Sequence, residues 1–320
     1  MRYTVGRLLH GLGLLVAVSF AAFSFAQLAP GDYYSDLDVD PHIAPASVAA
    51  MREQAGLRRP FLVRYASWAA SAAAGDFGYS LAYKGPVAPL LKQRVGATLL
   101  LTGASTFVAW LLAVPFGVWI AARRRGWPDL FSKAILSILL ILPDLLLAIL
   151  LLLVAVETGW FPAGGMESND AGSMTRAERL RDLLWHLALP AAVLVVGMLP
   201  VLVRHVRAAM IEALDAPFAL AARAHGIPPR RLLLHHLLPV AAHPLVGLFG
   251  LSLGSLLSAS LLVEVVMGWP GLGPLLVESI LSRDIAVVLG TVLLSAAFLI
   301  GGNLIADLLL YRVDPRIRVK

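Results

Sequence analysis

Apolar residues gather along the chain in six long blocks, near 8–29, 97–121, 133–156, 184–203, 241–266 and 286–310. Crossing a hydrocarbon core of roughly 30 Å takes about 20 apolar helical residues, so each block has the length of a membrane-spanning helix. Each is too long and too apolar to be a strand. The first block has Arg2 and Arg7 ahead of it and small residues ("AAFSFAQ") at its end, as a signal peptide does. Its apolar run exceeds the roughly 7–15 residues of a signal h-region, and it therefore reads as a retained anchor. The pattern predicts an all-α membrane protein of six transmembrane helices. The anchor covers 1–29, a loop with short helices 30–92, a core 93–312 and a tail 313–320. Within the loop, "SVAAMREQAGL" and "FLVRYASWAASAA" carry the spacing of short amphipathic helices.

Composition agrees with the pattern: 59% hydrophobic and 14% charged residues, with mean hydropathy +0.80, leave too little polar surface to coat a soluble domain. A net charge of +6 raises the question of nucleic acid. The basic residues lie beside the apolar blocks instead, where cytoplasmic loops meet anionic lipid. Cysteine is absent, which excludes disulfides, thiolate nucleophiles and cysteine-based metal sites. Arg123, Arg124, Arg125 and Lys133 flank one loop, Arg204, Arg207, Arg223, Arg230 and Arg231 another, and the tail adds four more. The positive-inside rule puts these loops and both termini in the cytoplasm. The 30–92 loop, mixed with Asp32, Asp36, Asp38 and Asp40, is long enough to translocate despite its charge.

Within the longest cytoplasmic loop, 207–240, the order is helix, stop, helix. "EALDAPFALAARAH" holds good helix formers, Pro217 suits a first turn, and Gly226 suits a left-handed C-terminal cap. "IPPRRLLLHHLLP" restarts as an apolar run expected on the membrane surface or another protein. The alanines at 219, 221, 222 and 224 let this backbone approach a partner closely. Spacing alone fits either a docking element or an interfacial anchor.

Polar groups inside spans default to the bundle interior. Asp144 follows Pro143 in the third block and either lines a solute path or bonds a neighbouring helix. Glu264 precedes, and Trp269 lies within, a Gly/Pro break ("GWPGLG") that is either a re-entrant gate or a polar helix end. Asn303 and Asp307, one turn apart in the last block, either tie helices together or face the path. Adjacent His235 and His236 cannot converge on one point from a regular helix, so no metal site is expected. No G-x-S-x-G or H-E-x-x-H pattern occurs, and no Gly-Lys dipeptide for a P-loop, so no catalytic residue is assigned.

"ALAARAHGIPPRRLLLHHLLP" resembles the cytoplasmic loop of permease subunits in binding-protein-dependent ABC importers. "LAPGDYY", "GDFGYSL", "RVGATLLLT", "VEVVMGWPGLGPLL", "RDIAVVLGTVLL" and "NLIADLLLYRVDPRIR" likewise look like the first permease of dipeptide, oligopeptide and nickel importers. Their order and spacing cover nearly the whole chain. The resemblance implies a type I importer permease in a bacterial or archaeal inner membrane. It implies a second homologous permease, two ATPase subunits binding ATP and Mg, an external solute-binding protein, and no cofactor on this chain. Phe218, Ala222, Arg223, Ala224 and Gly226 then take the ATPase-coupling positions. Pro217, Leu220, Ala221, His225 and Val240 depart from the family's commoner polar residues there. Two other classes stand beside this one. A secondary transporter would use Asp144 and Glu264 as ion-coupling carboxylates but would need an internal repeat that is missing. A membrane hydrolase would need a nucleophile and base, and no convincing pair is visible.

Overall fold

The computed structural model describes residues 2–28, 44–54, 59–124 and 126–313. The four loop aspartates, nearly all of "LAPGDYY", Arg125 and the tail beyond Val313 lie outside the described residues. In chain order the elements are α1 (Arg2–Leu28), α2 (Pro45–Gln54), α3 (Phe61–Ala73), β1 (Tyr79–Ser80), β2 (Gly85–Pro86), α4 (Val87–Ala122), α5 (Trp127–Ile141), α6 (Asp144–Thr158), α7 (Arg176–Asp215), α8 (Pro217–Ala224), α9 (Pro229–Arg231), α10 (Leu238–Val266), α11 (Leu272–Leu281) and α12 (Ile285–Val313). Among the described residues, five helical stretches are long and apolar enough to cross a membrane, six if the bent pair α5 and α6 is one span. They outrun the apolar blocks. The 40 residues of α7 extend about 60 Å at 1.5 Å per residue, because capped polar turns continue the helix beyond hydrocarbon. At its start Thr175 and Glu178 form a reciprocal capping box.

The chain packs as two compact units, Met1–Thr98 with Pro270–Ile300, and Leu99–Trp269 with Gly301–Lys320. They cut across the linear divisions drawn from sequence, since segments far apart in sequence fold together.

In the first unit, Phe61, Tyr65 and Trp68 share one face of α3 at helical spacing and meet Phe20 and Phe23 of α1. Phe20 and Tyr65 pack edge to face at 5.1 Å, and Tyr65 Oη shares a 2.9 Å hydrogen bond with Ser19. Strands β1 and β2 form a two-stranded antiparallel hairpin pairing Tyr79 with Pro86 and Ser80 with Gly85. Asp284, 3% exposed, pins it. Its Oδ2 accepts hydrogen bonds from Ser80 Oγ at 2.6 Å and the Ala82 amide at 3.1 Å, while Oδ1 accepts from the Val287 amide in the first turn of α12 at 3.3 Å. Tyr83 Oη donates to Glu278 Oε2 at 2.5 Å. Burial, followed by that bond and the charge on Glu278, pushes the phenol up to about 12, so it stays a donor at any physiological pH. Asp284→Ala removes a helix cap and leaves the hairpin donors without their acceptor. It should destabilise this unit by about 2–3 kcal/mol, lowering the melting temperature of the solubilised protein and opening 81–84 to limited proteolysis. An unchanged digestion pattern would show that the hairpin is held by something else.

In the second unit the third apolar block is not one continuous helix. It divides at Leu142–Pro143 into α5 and α6, bent by 92°. Pro143 forces its predecessor out of the helical region, and Leu142 sits at ψ 116°. Each arm has 15 residues, about 22 Å, short of a bilayer core. Helix α7 packs against α5, α6, α8 and α10. Leu136 of α5 meets Val195, Leu202 and Val203 of α7 in one cluster; Met210, Leu214, Ala219, Leu232 and Leu237 meet in another.

The apolar restart at 227–239 also differs from expectation. It runs on into a span, with one face buried and Leu234, His235 and His236 exposed on the other. Residues 229–266 form one helical stretch, with Pro229 in its first turn and a π-turn over Leu232–Leu237. Pro239 has no amide to bond the carbonyl four residues back, and the wider turn accommodates that gap, with the Leu238 amide reaching Leu233. Leu232 and Leu237 point into the core.

Candidate functional site

Helix α7 ends at Asp215, and the extended residue Ala216 (φ −68°, ψ 147°) turns the chain into Pro217, whose fixed φ starts α8. Eight residues long, α8 buries only Ala219 completely. That methyl group seats the helix on Leu214, Leu232 and Leu237. Ala222 is half-buried, and Phe218, Leu220, Arg223 and Ala224 are exposed. The end of α8 is closed by a Schellman turn: the Ile227 amide bonds Ala222 O at 3.2 Å and the Gly226 amide bonds Arg223 O at 2.9 Å. Gly226 has φ +75°, and a Cβ built there would meet nothing within 4 Å. Backbone conformation alone favours glycine here.

The base of this element is tied from two sides. Arg124 at the end of α4 pairs with Asp215 at 2.7 Å. Asp129, 4% exposed, accepts hydrogen bonds from Nε and Nη2 of Arg207, at 2.8 and 3.0 Å, and pairs with Lys133 at 3.0 Å. Sequence reasoning read Arg207 and Lys133 as topology markers and passed over Asp129. Its signal was present: a carboxylate one turn before a lysine, in the first turn after Pro128.

The five coupling candidates, Phe218, Ala222, Arg223, Ala224 and Gly226, thus lie on one short helix and its cap. The path candidates do not gather. Asp144 opens α6, half-buried, with Oδ1 where it would overlap a Cβ on Gly197 of α7. Glu264 is fully buried in the last turn of α10, which closes with Gly268 at φ +62° and the Trp269 amide on Glu264 O at 2.9 Å. The Trp269 side chain is also fully buried. Asn303 and Asp307 sit half-buried on α12 beside Ala306, whose Cβ would overlap a side chain on Gly250 of α10. Among the described residues, no three His, Asp or Glu side chains come close enough together to hold a metal ion.

A family described as binding-protein-dependent transport system inner membrane component matches residues 113–319. The oligopeptide transport system permease protein AppB of Bacillus subtilis is 36% identical over 317 residues, covering 98% of each chain. The glutathione transport system permease protein GsiC of Escherichia coli is 33% identical over 322 residues, covering both chains fully. A solved structure of the MetNI methionine ABC transporter, inward facing, shares the fold, with TM-score 0.52, 24% identity, and coverage of 70% of this chain and 96% of that one. The family match over most of the core, with relatives aligned end to end, shows that the chain belongs to the binding-protein-dependent transport system inner membrane components and is the multi-pass permease of an ABC importer.

Proposed function

We propose that this permease forms one half of a translocation path for di- or oligopeptides. Its partners in this reading are a second, homologous permease, two ATPase subunits or domains carrying ATP and Mg, and an external binding protein that delivers the solute. The observation that carries the reading is α8, a short helix seated by one alanine, capped by one glycine, and presenting Phe218, Arg223 and Ala224 outward. Such an element transmits a push between rigid bodies, since its own backbone has no slack. The small exposed side chains keep its backbone close to whatever it docks on. The oligopeptide named in a relative's description supports a peptide cargo. Asp144, Glu264, Trp269, Asn303 and Asp307 remain candidates for path or gate, and this chain supplies no catalytic residue, metal site or cofactor.

Both termini and α8 face the cytoplasm in this reading, and the β1–β2 hairpin faces outward. The chain has no cysteine, so single cysteines at Lys84 and Arg230, both exposed, report sidedness cleanly. They should label from opposite faces of the membrane, and labelling from the same face would overturn the topology. Affinity-tagged permease should bring down an ATPase and a second permease, with ATP hydrolysis rising on addition of peptide-loaded binding protein. Recovery of the permease alone, with uptake driven by an ion gradient, would sink the function.

A further inference from the structure

Between α5 and the cytoplasmic half of α7 lies a cleft of about 730 Å³ that none of the coupling or path candidates enters. Its polar end is basic: Lys133, Arg204, His205 and Arg207 line it. Asp129 neutralises part of this charge, its two oxygens taking Nε and Nη2 of Arg207 and one of them also Lys133. Arg204 forms no ion pair among the described residues, and three permanent cations face one carboxylate. Its other wall is apolar, with Ile120, Leu136, Leu140 and Val201. Beside it, α5 exposes Trp127 (85%), Leu130 and Phe131 in its first turns. An exposed tryptophan at the start of a membrane arm marks the headgroup level.

We infer that this cleft binds an anionic phospholipid, with the headgroup phosphate on Lys133, Arg204 and Arg207 and an acyl chain against Leu136 and Leu140. The guanidinium groups suit phosphate oxygens, which they can contact with two parallel N–H donors. Arg207 is held in place by Asp129, so its position is fixed before a ligand arrives. Basic pockets between spans at the cytoplasmic face are where acidic headgroups settle. The apolar wall decides between a lipid and a free anion. Inorganic phosphate has nothing to offer Leu136 and Leu140, whereas a lipid joins phosphate to hydrocarbon and matches both ends. The inference rests on the membrane reading of the chain, whose sidedness the cysteine labels test separately.

The test uses the full-length permease, in the complex in which it is isolated, placed in nanodiscs containing phosphatidylglycerol and phosphatidylcholine and then released for native mass spectrometry. Wild type should retain phosphatidylglycerol in preference to phosphatidylcholine. Lys133→Gln with Arg204→Gln should lower that retention roughly tenfold or more, given the strength of basic residues near an anionic surface. Arg204→Lys should keep much of it, and Arg230→Gln, exposed and outside the cleft, should change nothing. Both substituted side chains are exposed, so the fold should survive, which a melting curve checks. Equal retention by the double variant overturns the site. Displacement of the lipid by inorganic phosphate at matched concentration overturns the lipid assignment in favour of a free anion.

Discussion

A permease carrying Gly226→Val should insert into the membrane and assemble, yet lose most solute-stimulated ATP hydrolysis. Gly226 holds φ +75°, a conformation that costs an ordinary L-residue about 1–2 kcal/mol and a β-branched one more. Space is not the issue, because a Cβ there meets nothing within 4 Å. The expected damage is therefore confined to the Schellman turn, whose population falls by a factor of roughly 5–30 for such a cost. When the turn opens, the Ile227 and Gly226 amides leave Ala222 O and Arg223 O, and the last turn of α8 frays where Arg223 and Ala224 face outward. Asparagine tolerates the left-handed region far better than valine does. Gly226→Asn should keep most of the stimulation. ATP hydrolysis by reconstituted complexes, with and without loaded binding protein, measures both variants. Equal loss in the two would mean that the cap conformation is not what matters, and unchanged stimulation in Gly226→Val would mean that α8 is not the coupling element.

That cap was legible in the sequence because its causes are local: a glycine after a run of helix formers, followed by two prolines. The same holds for α3, where "FLVRYASWAASAA" forms the expected helix, Phe61–Ala73, its aromatic spacing choosing the face that meets α1. The break at Pro143 was visible as a proline but not as a bend, since the direction of the second arm depends on what α7 offers it. The buried face of the restart at Pro229 is hidden in the sequence for a related reason. Apolarity of "LLLHHLL" does not distinguish a membrane surface from a protein core, and it is Ala219 and Leu214, brought beside it by the loop, that bury Leu232 and Leu237. Long-range polar contacts were the least legible. Ser80 and Asp284 are 204 positions apart, and Asp129 and Arg207 are 78. Each carboxylate reads from sequence as one more loop charge.

The junction between Asp144 and Gly197 should behave as a single packed unit, and Gly197→Ala should disturb it through the Asp144 side chain. A Cβ at that position would overlap Asp144 Oδ1 and stand 3.1 Å from its carboxyl carbon. The carboxyl group is the far end of a side chain with two free torsions, so it swings aside, and the cost lies at or below the lower end of the about 1–3 kcal/mol typical of overpacking. Asp144 starts α6 immediately after Pro143, so its backbone has little freedom to follow. Asp144→Ala removes the clashing atoms, and Gly197→Ala in that background should be tolerated. A double-mutant cycle on thermal stability of the assembled complex should therefore return a coupling energy of about 0.5 kcal/mol or more. Strictly additive effects would show that the two residues do not touch. Transport then separates the two roles open to the carboxylate. A residue lining the path should show altered uptake or pH dependence in Asp144→Asn with assembly intact. A helix tie should keep uptake in Asp144→Asn and lose assembly in Asp144→Leu. On a lipid-facing surface the carboxylate would cost roughly 2.5–3.5 kcal/mol at the centre of a span, so Asp144→Leu would then be harmless or stabilising. Wild-type assembly and transport in Asp144→Leu would remove the residue from the interior altogether.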